Sequence, residues 1–207
     1  MGLFKNFVNQ TRKPEGILGK MMVRGMNSGH VKQADWGMSY LDEVEARRIV
    51  ELGCGGGRNA AELLKHYPEA KLIAVDYSDI SVEKAKKINR EMIVAGRCLV
   101  KQASVASLPF KEGTFDLATA FETVYFWPGL ERCFSEVNRV LKPGGYFLIC
   151  NESDGMDETG LKYEKMIAGM KCYTVEQLTK VLKEAGFSKV RSWHHPKMPW
   201  ITVLAKK

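Results

Sequence analysis

The segment that most constrains the fold of this chain is IVELGCGGGRNAAELL at residues 49–64. A short apolar run reaches Glu51, four glycines follow within residues 53–57, and a helix-like pattern begins directly after them. Glycine has no Cβ, so such a loop can turn sharply and let a ligand approach its backbone. The helix that follows presents unpaired N–H groups and partial positive charge at its first turn. The segment therefore predicts a strand, a glycine loop and a helix that together hold a carboxylate or a phosphate.

The pattern around this segment repeats along most of the chain. From Arg47 onward, short apolar runs alternate with longer amphipathic ones, which is typical of a parallel sheet covered by helices. Run length and turn residues predict seven strands, at residues 47–52, 71–76, 97–102, 115–121, 145–150, 187–194 and 199–205. The connection between the last two is too short for a crossover helix, and we expect these two strands to pair antiparallel.

Two helices carry boundary signals that can be located by residue. Ser78 is a good N-cap for a helix over 79–95, which should end before Gly96. Thr174 begins a capping box for a helix over 175–185. The region before Arg47 has no clean period and allows only short helices, around residues 17–25 and 32–44.

Length and composition set the domain organisation and exclude several classes of protein. With 207 residues, we expect one domain, with residues 1–46 as an N-terminal cap or lid and residues 47–207 as the body. The net charge of +7 comes from scattered lysines and arginines, which favours a solvated surface over a nucleic-acid site. No run of 18 or more apolar residues predicts a membrane span, and the N-terminus lacks a secretory signal, so we expect a cytoplasmic protein. The five cysteines form no C-x-x-C pair, and we expect neither disulfides nor a bound metal.

An acidic residue adds to the prediction made from the glycine loop. The second strand ends in Asp76, 23 residues after Gly53. In an open α/β sheet this position lies beside the loop, in the crevice where ligands bind. Because a carboxylate there can accept two hydrogen bonds from a ribose diol, the two features together indicate a cofactor that contains adenosine.

Two cofactor types fit the glycines. Gly55, Gly57 and Ala60 satisfy the G-x-G-x-x-A pattern of dinucleotide-binding proteins. Glu51, Gly53, Gly55 and Gly57 also satisfy E-x-G-x-G-x-G. A carboxylate at the loop would repel a pyrophosphate, whereas it can attract an ammonium group, and this favours the second pattern.

On these and further motifs the chain resembles the class I S-adenosylmethionine-dependent methyltransferases, close to the small-molecule group that includes the quinone C-methyltransferases. The resemblance rests on VELGCGGG, VDYS, ASLPF, FDLATAF and VNRVLKPGGYFLI, and it covers residues 47–150 well. It implies a Rossmann-like α/β fold with a seven-stranded, mostly parallel sheet of order 3-2-1-4-5-7-6, an antiparallel last strand, helices on both faces and an N-terminal helical cap. It also implies S-adenosylmethionine as cofactor, with S-adenosylhomocysteine as product.

The resemblance further assigns roles in cofactor binding. The glycine loop and its neighbours would hold the methionine end, Asp76 the ribose, and Tyr77 the adenine. One departure is Ser104, where such families often have an aspartate that accepts a hydrogen bond from the adenine amino group, and a neutral acceptor should bind more weakly. The complete set of expected cofactor contacts is Trp36, Glu51, Gly53, Cys54, Gly55, Gly57, Asp76, Tyr77, Ser104, Val105 and Phe121.

Methyl transfer needs alignment and the exclusion of water, and it needs a general base only if the acceptor must lose a proton. The candidates for that role are His30, Glu122 and Tyr125. The aromatic residues around 121–127 favour a small aromatic or apolar acceptor, and no metal, membrane or nucleic-acid partner is expected. Two alternatives stay open at this point: an RNA or protein methyltransferase, and a non-catalytic protein that binds a dinucleotide or nucleoside on the same scaffold.

Overall fold

The sheet predicted from the sequence is present in the computed structural model, which describes residues 30–207. Its strands are β1 (Arg48–Leu52), β2 (Lys71–Asp76), β3 (Cys98–Gln102), β4 (Phe115–Phe121), β5 (Leu141–Asn151), β6 (Lys189–His194) and β7 (Ile201–Lys206). They lie in the order β3-β2-β1-β4-β5-β7-β6. All neighbours are parallel except that β7 runs antiparallel to both β5 and β6. The predicted fold class is therefore confirmed.

Seven α-helices surround this sheet in the described residues. They are α1 (Val31–Met38), α2 (Arg58–His66), α3 (Asp79–Ile88), α4 (Arg90–Val94), α5 (Leu130–Val140), α6 (Glu158–Met166) and α7 (Val175–Glu184). Short 3₁₀ turns follow α1 at Ser39–Leu41 and β4 at Val124–Phe126. The predicted caps are present: the Ser78 hydroxyl accepts from the Ser81 N–H, and Thr174 forms a capping box with Gln177. None of these helices is both long enough and apolar enough to cross a lipid bilayer.

The helix predicted over residues 79–95 is wrong in one respect, because it is divided into α3 and α4 at Asn89. The buried Asn89 side chain donates through Nδ2 to the carbonyl of Gly57 at 2.9 Å and to that of Ala85 at 3.0 Å. Its amide thereby bonds α3 to the start of α2. A contact of this kind, 32 residues away in sequence, overrides a local helical pattern.

The sheet is covered on both faces by apolar side chains, which fixes where a ligand can bind. One buried cluster contains Phe115, Phe134 and Phe147, and the other contains Leu63 and Leu117. The central strand β4 is buried along almost its whole length. Polar groups that can act on a ligand are therefore left to the loops at the strand ends, as expected for open α/β sheets.

The N-terminal part of the chain reaches this sheet through α1. The helix candidate at 32–44 is present as α1 and the turn after it, whereas the candidate at 17–25 lies outside the described residues. Within α1, the Gln33 side chain donates through Nε2 to the Cys150 sulfur at 2.9 Å. Gly37 lies so close to Cys150 that a Cβ on it would be 2.9 Å from the Cys150 Cβ and nearer still to the sulfur.

This contact gives a prediction about the docking of α1. Gly37→Ala should lower the free energy of unfolding by about 1–3 kcal/mol, since the added methyl group overpacks the junction with β5. Urea unfolding measures the change. The double variant Gly37→Ala/Cys150→Ala removes the sulfur and should recover part of the loss. Equal losses in the single and the double variant would mean that the contact with Cys150 is not the cause.

Candidate functional site

A cavity of about 400 Å³ opens at the carboxyl ends of β1, β2 and β4. Its walls come from the glycine loop after β1, the segment after β2, the segment after β3 and the segment after β4. His30, just before α1, also lines it. This is the size of a small-molecule site, and it lies where a doubly wound sheet binds its ligands.

The glycine loop takes a backbone conformation that side chains would oppose. Gly53, Gly55 and Gly57 all have positive φ, at 75°, 49° and 81°. The backbone N–H groups of Gly53 and Cys54 both donate to the Val75 carbonyl, which ties the loop to the end of β2. A Cβ on Gly55 would meet no atom within 4 Å, so the loop presents bare backbone to the cavity there. Gly53, Cys54 and Gly55 thus lie where the sequence placed them, beside the space for a ligand.

Gly57 has a different role from the one predicted. It precedes α2 and does not line the cavity; a Cβ there would be 2.7 Å from the Cα of Ala85 and 2.7 Å from Nδ2 of Asn89. The structural reason is the close approach of α2 to α3. The structure therefore gives Gly57 a packing role, and its contact with the cofactor stays a prediction.

Asp76 is the acidic residue that meets the cavity. Its carboxylate is buried, with Oδ2 accepting from the Gly55 N–H at 2.9 Å and Oδ1 from the Ser78 N–H at 2.9 Å. Burial raises the pKa of this carboxyl, and the N–H groups of Ser78, Gly55 and Tyr77 counteract that rise. The side chain is thus fixed beside the loop, and the half-exposed Tyr77 lines the cavity next to it.

Glu51 does not line the cavity, contrary to the sequence expectation. It lies on β1 behind the glycine loop and is only 2% exposed. Burial first, and then the charge of Asp76, raises its pKa to about 8, while a hydrogen bond from the Ala60 N–H acts in the opposite direction. Oε2 of Glu51 has no hydrogen-bond partner in the described part of the chain. The Glu51 carboxyl thus contacts the first turn of α2 at Ala60.

The cavity contains three other predicted residues on its two sides, because β3 and β4 lie on opposite sides of β1 and β2. Ser104, Val105 and Phe121 all line it. The Ser104 hydroxyl already accepts from the Ala106 N–H at 3.3 Å, and Ser104 pairs with Ser107 in an isolated bridge. The Ser104 hydroxyl could therefore accept a hydrogen bond from a ligand only in addition to the one that it accepts from its own loop.

Trp36 does not line the cavity, and its contact with the cofactor stays a prediction. Its ring contacts Tyr40 edge to face at a centroid distance of 5.3 Å and His195 at 5.4 Å. The ring also packs near Trp200, just before β7. Trp36 thus joins α1 to the connection between β6 and β7.

Two of the three catalytic candidates face each other at the cavity wall. Nδ1 of His30 lies 3.8 Å from Oε2 of Glu122 and 3.2 Å from Oε2 of Glu152. Glu122 has a φ of 58°, and it is the one non-glycine residue with positive φ in residues 30–207. Burial raises the pKa of Glu122 to about 7, although the His30 charge lowers it. Such strain is retained only where surrounding contacts enforce it, and it is common at functional sites.

Tyr125 supports this pair from behind. Its hydroxyl donates to Oε1 of Glu122 at 3.4 Å and accepts from the Ser153 N–H at 2.9 Å. The side chain is buried and does not line the cavity. Burial raises the pKa of this phenol well above its usual value. Tyr125 is thus placed to orient Glu122 rather than to meet an acceptor.

The residue that sequence reasoning missed is Glu152. It directly follows β5 as Glu122 directly follows β4, and its backbone N–H donates to Oε1 of Glu122. Glu152 could have been predicted, because side chains that follow the ends of neighbouring parallel strands lie close together. Ligand atoms of His30, Glu122 and Glu152 lie within 4.8 Å of one another, and this is the one such donor group in residues 30–207 that is close enough for a metal ion.

Comparison with known proteins agrees with this geometry. Residues 50–149 match the methyltransferase domain family. A malonyl-[acyl-carrier protein] O-methyltransferase of Geobacter sulfurreducens is 28% identical over 177 residues, which are 77% of this chain and 65% of that protein. A fatty-acid O-methyltransferase of Mycolicibacterium smegmatis is 32% identical over 106 residues, 51% of this chain and 37% of that protein. The chain spans less than two thirds of the length of these curated relatives.

Solved structures show the same fold. An S-adenosylmethionine-dependent methyltransferase from Aquifex aeolicus superposes with a TM-score of 0.75 at 17% identity, over 90% of this chain and 97% of that one. A geranyl diphosphate methyltransferase superposes with a TM-score of 0.68 at 14% identity, over 85% of this chain and 77% of that one. With the strand order, these findings place residues 50–149 in the methyltransferase domain family and show that the chain has the Rossmann-like methyltransferase fold.

Proposed function

We propose that this chain transfers a methyl group from S-adenosylmethionine to a small aromatic or apolar acceptor. The observation that carries the proposal is the junction of Gly55 and Asp76, where bare loop backbone and a fixed carboxylate share one cavity. The N-terminus of α2 supplies partial positive charge beside the same loop. This cavity therefore offers hydrogen-bonding groups for the carboxylate, the ribose diol and the adenine of the cofactor.

Each part of the cofactor would bind to a different group of residues. The loop at Gly53 to Gly55 takes the methionine end, and Asp76 takes the ribose hydroxyls. Tyr77, Ser104 and Val105 form the adenine end. When bound, the sulfonium of the cofactor supplies an electrophilic methyl group. The protein contributes alignment and exclusion of water, which are worth up to about 7–11 kcal/mol for well-oriented groups.

The acceptor would bind beyond the glycine loop, against the segment after β4. Phe126, Trp127 and Pro128 form an apolar part of the cavity wall there. Pockets of this composition favour small apolar or aromatic molecules. The names of the fatty-acid and sterol methyltransferases among the relatives support a small acceptor rather than RNA or a protein. The proposed reaction needs no metal ion, and the five unpaired, buried cysteines support a cytoplasmic location.

The departure at Ser104 gives a prediction about affinity. Ser104→Asp should tighten cofactor binding by about fivefold, since a charged acceptor forms a hydrogen bond roughly 1 kcal/mol stronger than a neutral one. Ser104→Ala removes the acceptor and should weaken binding. Titration of all three proteins with S-adenosylhomocysteine measures both changes. Weaker binding by the Asp variant would mean that the adenine amino group does not lie at residue 104.

Turnover tests the proposed function itself. The purified chain is incubated with S-adenosylmethionine and a panel of small phenols, fatty acids and isoprenoids, and S-adenosylhomocysteine is measured by mass spectrometry. We expect formation that depends on the acceptor and falls to background in Asp76→Ala. Equal background with every acceptor, in protein that binds the cofactor, would favour a non-catalytic binding protein.

A further inference from the structure

Three separate elements bring ionisable groups to one wall of the cavity. His30 precedes α1, Glu122 follows β4, and Glu152 follows β5. The imidazole lines the cavity beside Glu122, while Nδ1 faces the two carboxylates at 3.2 and 3.8 Å. The mere binding of a methyl donor does not require such a cluster.

From this arrangement we propose that His30 is the general base of the methyl transfer, that Glu152 and Glu122 position it, and that the acceptor carries a phenolic or enolic hydroxyl. The proposal rests on the proposed function and names the substrate class for that site. Within His30, the atom that accepts the proton is Nε2.

The position of the carboxylates determines which imidazole nitrogen is basic. Nδ1 of His30 is buried and has no partner with full hydrogen-bond geometry in residues 30–207, yet it lies 3.2 Å from Oε2 of Glu152. A proton on Nδ1 is favoured at this distance, because two acceptors would repel each other there. With the proton on Nδ1 of His30, Nε2 keeps its lone pair. A histidine oriented in this way by a carboxylate is the usual design of a general base.

Hydrogen bonds fix the Glu122 side chain, so that it can position His30. Its Oε1 accepts from the Glu152 backbone N–H and from the Tyr125 hydroxyl, which leaves Oε2 toward His30. The Tyr125 hydroxyl is in turn fixed by the Ser153 N–H. These contacts keep Glu122 in its strained backbone conformation at a φ of 58°. Glu122 and Glu152 are therefore positioning residues, and His30 is the residue that touches the acceptor.

The step balances without any further reactant. The acceptor O–H bond breaks and its proton moves to Nε2 of His30, while an oxygen lone pair forms the bond to the methyl carbon. The bond between that carbon and sulfur breaks, and its electrons stay on sulfur, which gives neutral S-adenosylhomocysteine. The imidazolium is stabilised by the carboxylates of Glu122 and Glu152 until it loses the proton to water.

The surroundings of His30 set the direction of the pH dependence. Burial lowers its pKa, but the contact with Glu152 and the charges of Glu122 and Glu152 outweigh burial and raise it. Across the cavity, Arg58 forms an ion pair with Asp35. Because only neutral imidazole can accept the proton, the rate should fall as the pH drops through the raised pKa of His30.

A hydroxyl of phenolic or enolic type fits this base and this wall. Carboxylic acids are already ionised at neutral pH and need no base, whereas phenols and enols are closer in pKa to an imidazole than alkyl alcohols are and so match this base better. Phe126 and Trp127 offer rings against which an aromatic or conjugated acceptor can pack.

The experiment uses a series of substituted phenols whose pKa values range from below to above the assay pH. His30→Gln should lower kcat by about 100-fold or more for phenols that are protonated at the assay pH. For phenols that are already ionised, it should change kcat by no more than about threefold, since no proton remains to be removed. His66→Gln is the matched control, because His66 also faces a carboxylate, Asp42, but lies outside this cavity.

A second readout does not depend on turnover. Proton NMR of the imidazole in the complex with S-adenosylhomocysteine should show a His30 pKa above the ordinary value, and Glu152→Gln should lower it. A His30 pKa that is unchanged by Glu152→Gln would overturn the positioning role.

The remaining outcomes are distinguishable from one another. If the chain fails to bind S-adenosylhomocysteine, the proposed function itself fails. If it binds but methylates no phenol, or if His30→Gln slows all phenols equally, the base is overturned. If EDTA abolishes the reaction and Mn²⁺ restores it, the cluster holds a metal ion and the proposal is again overturned; we expect EDTA to have no effect.

Discussion

Asp76→Ala should raise the Kd for S-adenosylhomocysteine by roughly 10- to 100-fold, because two hydrogen bonds from ribose hydroxyls to a charged acceptor are lost. The carboxylate is fixed for that role by the N–H groups of Gly55 and Ser78. Isothermal titration calorimetry measures the change directly.

Because Asp76 also holds the loop, the control must separate binding from loop order. Asp76→Asn keeps the shape and one oxygen acceptor, and it should bind the ligand with an intermediate Kd. The thermal midpoints of both variants report how far the loop is disturbed. An Asp76→Ala variant that binds S-adenosylhomocysteine as tightly as the parent protein would show that the ribose lies elsewhere.

Gly57→Ala should lower the free energy of unfolding by about 2–5 kcal/mol. Left-handed backbone costs an alanine about 1–2 kcal/mol, and the overpacked contact costs about 1–3 kcal/mol more. The contact in question is between α2 and α3, where the new Cβ would be 2.7 Å from the Ala85 Cα. Urea unfolding gives the value.

Gly55→Ala is the matched control for this prediction. Its φ is also positive, but its Cβ would meet no atom within 4 Å, so only the backbone cost of about 1–2 kcal/mol applies. The new methyl group would instead enter the cavity, and we expect weaker binding of S-adenosylhomocysteine. If the two variants were equally destabilised, the distinction between a packing glycine and a ligand-facing glycine would be wrong.

Much of the fold could be predicted because its signals are local. The strand β2 occupies the predicted residues 71–76, and Ser78 and Thr174 cap helices as expected. The division of one predicted helix at Asn89 could not be predicted, since its cause is a hydrogen bond to Gly57, which is distant in sequence.

In the cofactor site, too, the residues whose positions depend on local signals could be predicted and the others could not. Gly55 and Asp76 both line the cavity, because a strand end and a loop determine their positions, and their contacts with the cofactor stay a prediction. Glu51 and Gly57 satisfy the same sequence pattern, yet one is buried behind the loop and the other packs between helices. A pattern gives spacing along the chain, but it does not say which side of the loop each residue faces.

The N-terminal segment was the hardest to predict. Trp36 and His30 lie six residues apart, and both were expected near the site. Only His30 lines the cavity, because α1 directs Trp36 toward the β6–β7 hairpin. The contacts of such a segment depend on where it docks, and nothing in its own periodicity specifies that.

Calorimetric titration of the parent chain with S-adenosylhomocysteine, repeated in the presence of NAD⁺, tests the central claim most directly. The account predicts one binding site per chain, a heat signal unchanged by NAD⁺, and a much weaker signal in Asp76→Ala. Absence of binding by S-adenosylhomocysteine, or its displacement by NAD⁺, would contradict it.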